Sequence, residues 1–361
     1  MFEGERLRLA RLAMGLSLEE LGGQVSATRQ YLNQLELNTK SPSGDMLNAL
    51  AAALDVTGEF FERPVRDEVK PEQCHFRKQR TTPMSVVAQV LARGTLLDRF
   101  VSRLDSELEL PSVAFPQIHV SSLLDIELAA ENAREYWGLG TGPISNMVRV
   151  VENAGAIISF FSGVSERVDA LSIDRPRPMI IRSEAKPTAC RLRFDLAHEC
   201  GHLIMHKGIE TGDKLTEDQA NRFANAFLFP RSAFIHEFPR GRKIDWTALY
   251  ALKRRWKVSL AAIIRRAYDL RIIGADQYRT GYIHLSKTGQ RRVEYLDDVI
   301  PMEEPELLKR AMNALEASFP GSTERLAREA GLGPDIFLKV SGLALPCMLA
   351  AETNVVPFVG R

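Results

Sequence analysis

The chain has 361 residues, of which 45% are hydrophobic and 26% charged, and its net charge at pH 7 is +1. This length exceeds that of an average domain and predicts two or three folding units. A nearly neutral charge does not by itself indicate a nucleic-acid-binding protein. Residues 1–20 lack an apolar block with a cleavage site, and no run approaches the roughly 20 apolar residues of a membrane span. We therefore expect a cytoplasmic protein that does not contact membranes.

The cysteines are widely spaced and include no CxxC pair, so neither a disulfide framework nor a cysteine-rich zinc module is indicated. We expect free thiols at all four positions: Cys74, Cys190, Cys200 and Cys347.

Residues 1–63 have the pattern of short helices joined by tight turns. The segment "GERLRLARLAM" has apolar positions at helical spacing and stops at Gly15, and Ser17 with Glu20 forms a capping box for the next helix. Thr28 can cap a third helix, "RQYLNQLEL", and a fourth begins in "SPSGDMLNALAAAL". This run predicts an all-α helix-turn-helix bundle over residues 1–63.

The third helix is the candidate DNA-reading element, because its apolar pattern turns Tyr31, Leu32 and Leu35 inward. Side chains suited to base edges and phosphates are left on its exposed side. These candidate DNA-binding residues are Thr28, Arg29, Gln30, Asn33 and Gln34. Residues 1–63 carry six Lys or Arg against nine Asp or Glu, so a small protein-interaction domain is the alternative. Binding to a double-stranded operator would require a homodimer that reads two half-sites.

Residues 64–119 differ in composition from the segments on either side. Charged pieces precede one long helical pattern, "MSVVAQVLARGTLLDRFVSRLDSEL", and a proline-bounded extended stretch follows. Apolar residues recur every three or four positions, which predicts a helical linker that could also serve as a dimerisation element.

Residues 120–274 alternate helical and strand patterns. Two helical segments precede the strand-like "AIISFFSG" and "PMIIRS", and the helical patterns "RLRFDLAHECGHLIMH" and "TEDQANRFANAFLFP" follow. In the C-terminal region, residues 275–361, "TGYIHLSKTGQRRVEYL" resembles a hairpin with a Thr-Gly turn, and residues 303–340 return to helix. The predicted fold class is therefore multidomain and mainly α, with a small central α+β domain and a helical C-terminal part.

The segment "HECGH" is the strongest chemical motif in the chain. His198 and His202 are four residues apart, so on a helix both imidazoles can reach one metal ion. This spacing fits the HExxH pattern, in which two neutral histidines hold Zn²⁺ and the intervening glutamate, here Glu199, acts as general base. An apolar helix with two unrelated histidines is the alternative.

A catalytic zinc site needs a third protein ligand and an open position for water. Six residues near the motif are candidates: Cys200, His206, Glu210, Asp213, Glu217 and Asp218. Cys200 should point away from the histidine face, and His206 should lie at the helix end, where a protonated imidazole suits the helix dipole. Glu217 is the better candidate because it opens a helix whose Ala220 and Ala224 permit close packing, and Asp218 is the fallback.

A basic stretch covers residues 240–271, with ten Lys or Arg against two Asp or Glu. An apolar stripe runs through it at helical spacing, so a solvated helix face is one interpretation. A patch for an acidic protein partner and supplementary contacts to DNA phosphates are the others.

Two parts of the chain together resemble a known combination of domains. "GLSLEELGGQVSATRQYLNQLELNTKSPS" resembles an Xre-type DNA-binding domain, although Gly22 replaces the usual alanine and Asn38 stands where glycine is common. Over about 120–285, "GPISNMVRVVENAG", "RLRFDLAHECGHLIMH", "EDQANRFANAFLFP" and "LKRRWKVSLAAIIRRA" resemble an ImmA/IrrE-like zinc metallopeptidase domain of the gluzincin type.

The resemblance implies Zn²⁺ on His198, His202 and Glu217, with Glu199 as the base. It also implies a transcriptional regulator, of a phage, mobile element or stress response, whose endopeptidase domain cleaves a specific protein partner such as a repressor or antitoxin. The alternative is a non-proteolytic repressor or long antitoxin whose peptidase-like domain binds a ligand or a toxin.

Overall fold

The computed structural model describes residues 1–62, 64, 66–76, 83–164, 170–182, 188–209, 211–346 and 348. Within these residues, sixteen α-helices surround one small sheet of four short strands, which confirms the predicted mainly α fold class. In the same part of the chain, no helix combines the length and the apolar character that crossing a membrane requires.

The N-terminal helices form where their capping residues predict. They are α1 (Gly4–Met14), α2 (Leu18–Gln24), α3 (Arg29–Glu36) and α4 (Gly44–Leu54). Ser17 and Glu20 form the predicted capping box, and the Thr28 hydroxyl accepts a hydrogen bond from the backbone N–H of Tyr31 at 3.2 Å. Ser43 caps α4 in the same way. The predicted four-helix arrangement is therefore present.

A four-stranded sheet divides the molecule. Its strands are β1 (Cys74–Phe76), β2 (Ile157–Phe160), β3 (Ala170–Ile173) and β4 (Met179–Arg182), in the order β1-β3-β4-β2. β2 lies parallel to β4, whereas β3 is antiparallel to both β1 and β4. Because side chains alternate along a strand, Ile157 and Ile158 enter two different hydrophobic cores on opposite faces of the sheet.

The first core lies under the central helices, on the face of the sheet that carries Ile158 and Ile180. These helices are α6 (Leu123–Tyr136), α7 (Met147–Asn153), α8 (Ala189–Met205), α9 (Lys214–Leu228), α10 (Arg231–Glu237), α11 (Trp246–Trp256), α12 (Leu260–Asp269) and α13 (Ala275–Lys287). Leu285 of α13, which follows the expected boundary at residue 274, also belongs to this core.

The second core joins the N-terminal helices to the long α5 (Met84–Glu107) and to the C-terminal helices. The latter are α14 (Leu307–Ser318), α15 (Ser322–Glu329) and α16 (Pro334–Ser341). The apolar side of α5 is buried against α1, α15 and α16. The helix predicted as a linker is therefore a core element, and the apolar stripe that suggested a dimerisation surface is used within the chain.

The predicted C-terminal hairpin is wrong, because residues 275–287 form helix α13. Thr288 and Gly289 end this helix instead of turning a hairpin: Gly289 adopts a φ of 73° and the Gln290 N–H donates to the Leu285 carbonyl at 2.8 Å. A glycine with positive φ serves a hairpin turn and a helix C-terminus equally well, so the local signal was ambiguous. Leu285 instead follows a helical period that directs it into the core.

Part of the basic stretch is neutralised inside the fold. The Lys253 ammonium is buried and lies 2.8 Å from Glu294 and 2.6 Å from Asp297. Arg266 is also buried and pairs with Glu127 at 2.7 Å. These basic residues therefore serve internal ion pairs, and the solvated-face interpretation applies to exposed neighbours such as Arg254.

Candidate metal centre

Helix α8 carries the HExxH motif through the interior of the molecule. It starts after Thr188, whose hydroxyl accepts from the backbone N–H of Arg191 at 3.4 Å, and nearly all of its side chains are buried. His198, Glu199 and His202 are each at most 2% exposed. The motif thus lies in a site shielded from bulk water, where electrostatic interactions are strong.

Close packing of α8 against α9 brings the third acidic residue to the histidines. A Cβ atom at Gly201 would lie 3.1–3.3 Å from the Phe223 side chain, so glycine at this position allows the two helices to approach closely. Ala220 and Ala224 are fully buried, as their small side chains predicted. This packing places Glu217, in the first turn of α9, beside the motif.

Two imidazole nitrogens and one carboxylate converge between the two helices. His198 Nε2 and His202 Nε2 are 3.1 Å apart, and each lies 3.5 Å from one oxygen of the Glu217 carboxylate. Among the described residues, these three form a group whose ligand atoms lie close enough together to hold a metal ion. Ligand atoms around a tetrahedral zinc ion are about 3.3 Å apart, given Zn–N bonds of 2.0–2.1 Å. The spacing therefore fits a zinc ion.

Hydrogen bonds behind the histidines direct their lone pairs towards this point. His198 Nδ1–H donates to the Asn221 side-chain oxygen at 3.1 Å, which leaves Nε2 as an acceptor. His206 Nε2–H donates to Gln219 at 2.8 Å, so His206 Nδ1 accepts the 2.9 Å hydrogen bond from His202 Nδ1–H. Both Nε2 atoms are then unprotonated and face each other and a carboxylate, an arrangement that a cation stabilises.

The protonation preferences of the centre agree with this assignment. Burial lowers the pKa of His202 to about 4, which keeps its imidazole neutral. Two neutral imidazoles and one carboxylate are the donor set of a catalytic zinc site.

Glu199 is buried beside the cluster and is held by the sheet. The Ser172 hydroxyl of β3 donates to its carboxylate at 2.7 Å. Burial raises the pKa of Glu199 to about 7, although the nearby His198 and the Ser172 hydrogen bond oppose that increase. A carboxylate with a pKa near neutrality can both accept and release a proton, as a general base requires.

The remaining candidate ligands lie elsewhere. Cys200 is fully buried in the core, where burial raises the pKa of its thiol, and Asp213 caps α9. Asp218 is exposed, and Glu210 lies outside the described residues. His206 does lie at the end of α8 as expected, but its side chain is 2% exposed and burial lowers the pKa of its imidazole, which disfavours the protonated form expected there.

A further histidine, which the sequence analysis did not single out, packs against the cluster. The ring of His75 in β1 stacks on that of His202 at a centroid distance of 5.1 Å and an interplanar angle of 5°. Its Nδ1 lies 2.9 Å from the Thr211 hydroxyl, and burial together with the neighbouring His202 lowers its pKa to about 3. Only the pairing of β1 with β3 brings it here, so no local pattern could reveal it.

The candidate DNA-binding residues lie on and beside α3, among the N-terminal helices. Thr28, Arg29, Gln30 and Asn33 are exposed and Gln34 is half-buried, whereas Leu32 and Leu35 are fully buried. Tyr31, expected to point inward, is half-buried and lies under the Lys40 ammonium. The predicted residues thus form one polar face on α3.

Comparison with known families agrees with both halves of this architecture. Residues 7–61 match the helix-turn-helix family model, and residues 151–268 match the family described as IrrE N-terminal-like domain, peptidase M78. The chain therefore combines an Xre-type helix-turn-helix domain with an ImmA/IrrE-type metallopeptidase-like domain, as its motifs predicted.

The chain is also similar to a curated protein over a short stretch. The chain is 32% identical over 79 residues to an uncharacterized HTH-type transcriptional regulator of Rickettsia prowazekii (strain Madrid E). The match covers 22% of this chain and 61% of that protein. The similarity thus concerns a minor part of the chain.

Proposed function

We propose that this chain is a DNA-binding transcriptional regulator with a zinc-dependent endopeptidase activity directed at one protein partner, of the repressor or antitoxin type. The observation that carries the proposal is the convergence of His198 Nε2, His202 Nε2 and the Glu217 carboxylate within 3.1–3.5 Å, next to the buried Glu199. In this assignment residues 1–63 bind DNA and residues 120–274 carry the chemistry.

His198, His202 and Glu217 would hold the zinc ion. When bound, zinc supplies a Lewis acid that polarises a peptide carbonyl and makes water more acidic. Glu199 accepts the proton of the attacking water and passes it to the leaving amine. Ser172 holds the Glu199 carboxylate during both transfers, while Asn221 and His206 keep the two imidazoles in their unprotonated Nε2 forms.

The test replaces the base and retains the ligands. Glu199→Gln should keep stoichiometric zinc, which elemental analysis measures. Its rate of cleavage of the proteins encoded by neighbouring genes should fall at least a hundredfold. Glu135→Gln, on the exposed side of α6, is the matched control and should cleave like the wild type. A Glu199→Gln protein with full cleavage activity would contradict the mechanism.

A non-proteolytic repressor or long antitoxin is the second candidate. The burial of His198 and His202 favours it, because a peptide must reach a site that is almost closed to solvent. Zinc content and cleavage separate the two proposals. A protein that takes up no zinc, or that takes it up but cleaves no partner, would favour the binding function.

The polar face of α3 is proposed as the surface that enters the major groove, with a homodimer reading two half-sites. We expect Gln30→Ala and Asn33→Ala to weaken binding to the protein's own promoter by about five- to a hundredfold, the effect of losing a base contact. A gel-shift assay over a salt series measures this, with the exposed Gln24→Ala in α2 as control. Affinity that does not change with salt would argue against phosphate contacts.

A further inference from the structure

His75 reaches the metal centre from outside the segment that matches the peptidase family, residues 151–268. In β1 it lies directly opposite Ser172 of β3. Residues directly opposite in an antiparallel pair point to the same face of the sheet. His75 and Ser172 therefore both face α8, where Ser172 binds Glu199 and His75 stacks on His202.

The His75 side chain is held at two points. Its ring face packs on His202, and its Nδ1 contacts Thr211 in the loop between α8 and α9 at 2.9 Å. It is 2% exposed. The orientation of the ring is thus set by a metal-ligand candidate on one side and by a hydroxyl group on another.

The second ring nitrogen, His75 Nε2, is buried and makes no hydrogen bond with any described residue. Burying a polar atom without a partner costs free energy. A phenylalanine would make the same stacking contact without that cost, so stacking on His202 does not account for a histidine here. Within the described part of the chain, this nitrogen is therefore available to donate to a molecule that enters the site.

We propose that His75 belongs to the metal centre and that its Nε2–H donates a hydrogen bond to an oxygen atom of the molecule bound there. In this assignment the Thr211 hydroxyl donates to Nδ1, which leaves the ring proton on Nε2. For a peptide the oxygen would be that of the scissile carbonyl, whose negative charge grows during hydrolysis. The proposal rests on the proposed zinc site.

His75 lies in the segment that follows the N-terminal helices, so in this proposal the metal centre is completed by one residue from outside the central domain. The segment between the two family matches is then a functional part of the site.

The experiment uses the full chain loaded with Co²⁺, whose visible spectrum reports both metal binding and coordination geometry. Acetohydroxamate, a small metal-binding compound with a carbonyl oxygen, is the probe. We expect His75→Phe to bind Co²⁺ within twofold of the wild type and to bind acetohydroxamate about tenfold more weakly. Thr211→Val should weaken acetohydroxamate binding by a smaller factor, and the exposed His119→Phe should match the wild type.

The outcomes separate this proposal from the proposed function. If the wild type binds no Co²⁺, the zinc site itself is wrong. If the wild type binds both Co²⁺ and acetohydroxamate and His75→Phe is indistinguishable from it, only the role of His75 is overturned. A His75→Phe protein that loses Co²⁺ affinity tenfold would overturn it too, since His75 would then act by positioning His202. If His75→Phe fails to fold, the test uses Thr211→Val. A Thr211→Val protein that binds acetohydroxamate as tightly as the wild type would overturn the proposal.

Discussion

At the scale of single residues, the metal centre depends on hydrogen bonds that the motif does not contain. The spacing of His198 and His202 predicts a shared face on a helix, but not which nitrogen is free. Asn221 of α9 decides this for His198, and His206 decides it for His202 because Gln219 of α9 fixes the tautomer of His206. Histidines that bind metals generally need such partners, and their loss weakens metal binding.

His206→Ala should weaken zinc binding by about ten- to a hundredfold, because His202 loses the acceptor that fixes its tautomer. Competition with a chelator of known affinity measures the change. His236→Ala, which removes an exposed histidine from α10, is the control and should leave the affinity unaltered. An unchanged zinc affinity in His206→Ala would show that the contact between the two imidazoles does not orient His202.

At the scale of elements, the turn between α2 and α3 shows how two adjacent glycines differ. Gly22 stands where alanine is usual, and glycine within a helix lowers its stability. In the structure a Cβ atom at Gly22 would lie 2.5 Å from the backbone oxygen of Ala27, whereas one at Gly23 would meet nothing within 4 Å. Gly22 therefore permits the close turn that leads into α3, and Gly23 does not have this role.

Gly22→Ala should lower the free energy of unfolding by about 1–3 kcal/mol, because the backbone must shift to relieve the overlap. Gly23→Ala should raise it by about 0.5–1 kcal/mol, since alanine is the better helix former. Chemical denaturation of both variants provides the comparison. Equal effects of the same sign would mean that helix propensity alone governs this turn.

At the scale of the whole molecule, segments distant in sequence share one core. Arg93 of α5 is 1% exposed and donates to the carbonyls of Ala13, Ser162 and Lys339. These carbonyls belong to α1, the loop after β2, and α16. Asp55, at the end of α4, accepts from the backbone N–H groups of Asp335 and Ile336 at the start of α16. The C-terminal helices thus support the DNA-binding domain.

Arg93→Met should lower the free energy of unfolding by about 3–5 kcal/mol, because several buried carbonyls lose their charged donor. Denaturation measured by circular dichroism tests the loss. Arg103→Met, on the exposed side of the same helix, should change stability by less than about 0.5 kcal/mol. A small effect at Arg93 would show that packing of α5, and not these hydrogen bonds, joins the three segments.

The sequence by itself determined what is set locally. Capping residues and apolar periods located α1 to α4, α5, α8 and α9, and the four-residue spacing paired His198 with His202. The spacing of apolar residues did not predict α13, because the glycine that follows it suits both a turn and a helix end. It also missed β1 and β3, which are three and four residues long.

Only the tertiary structure decided what depends on contacts between distant segments. The pairing of β1 with β3 places His75 and Ser172 beside α8, and the close approach at Gly201 brings Glu217 to within 3.5 Å of both histidines. A hydrogen bond or a ligand set joins atoms across the fold. Its partners therefore depend on how helices and strands pack, which the local sequence pattern of each element does not specify.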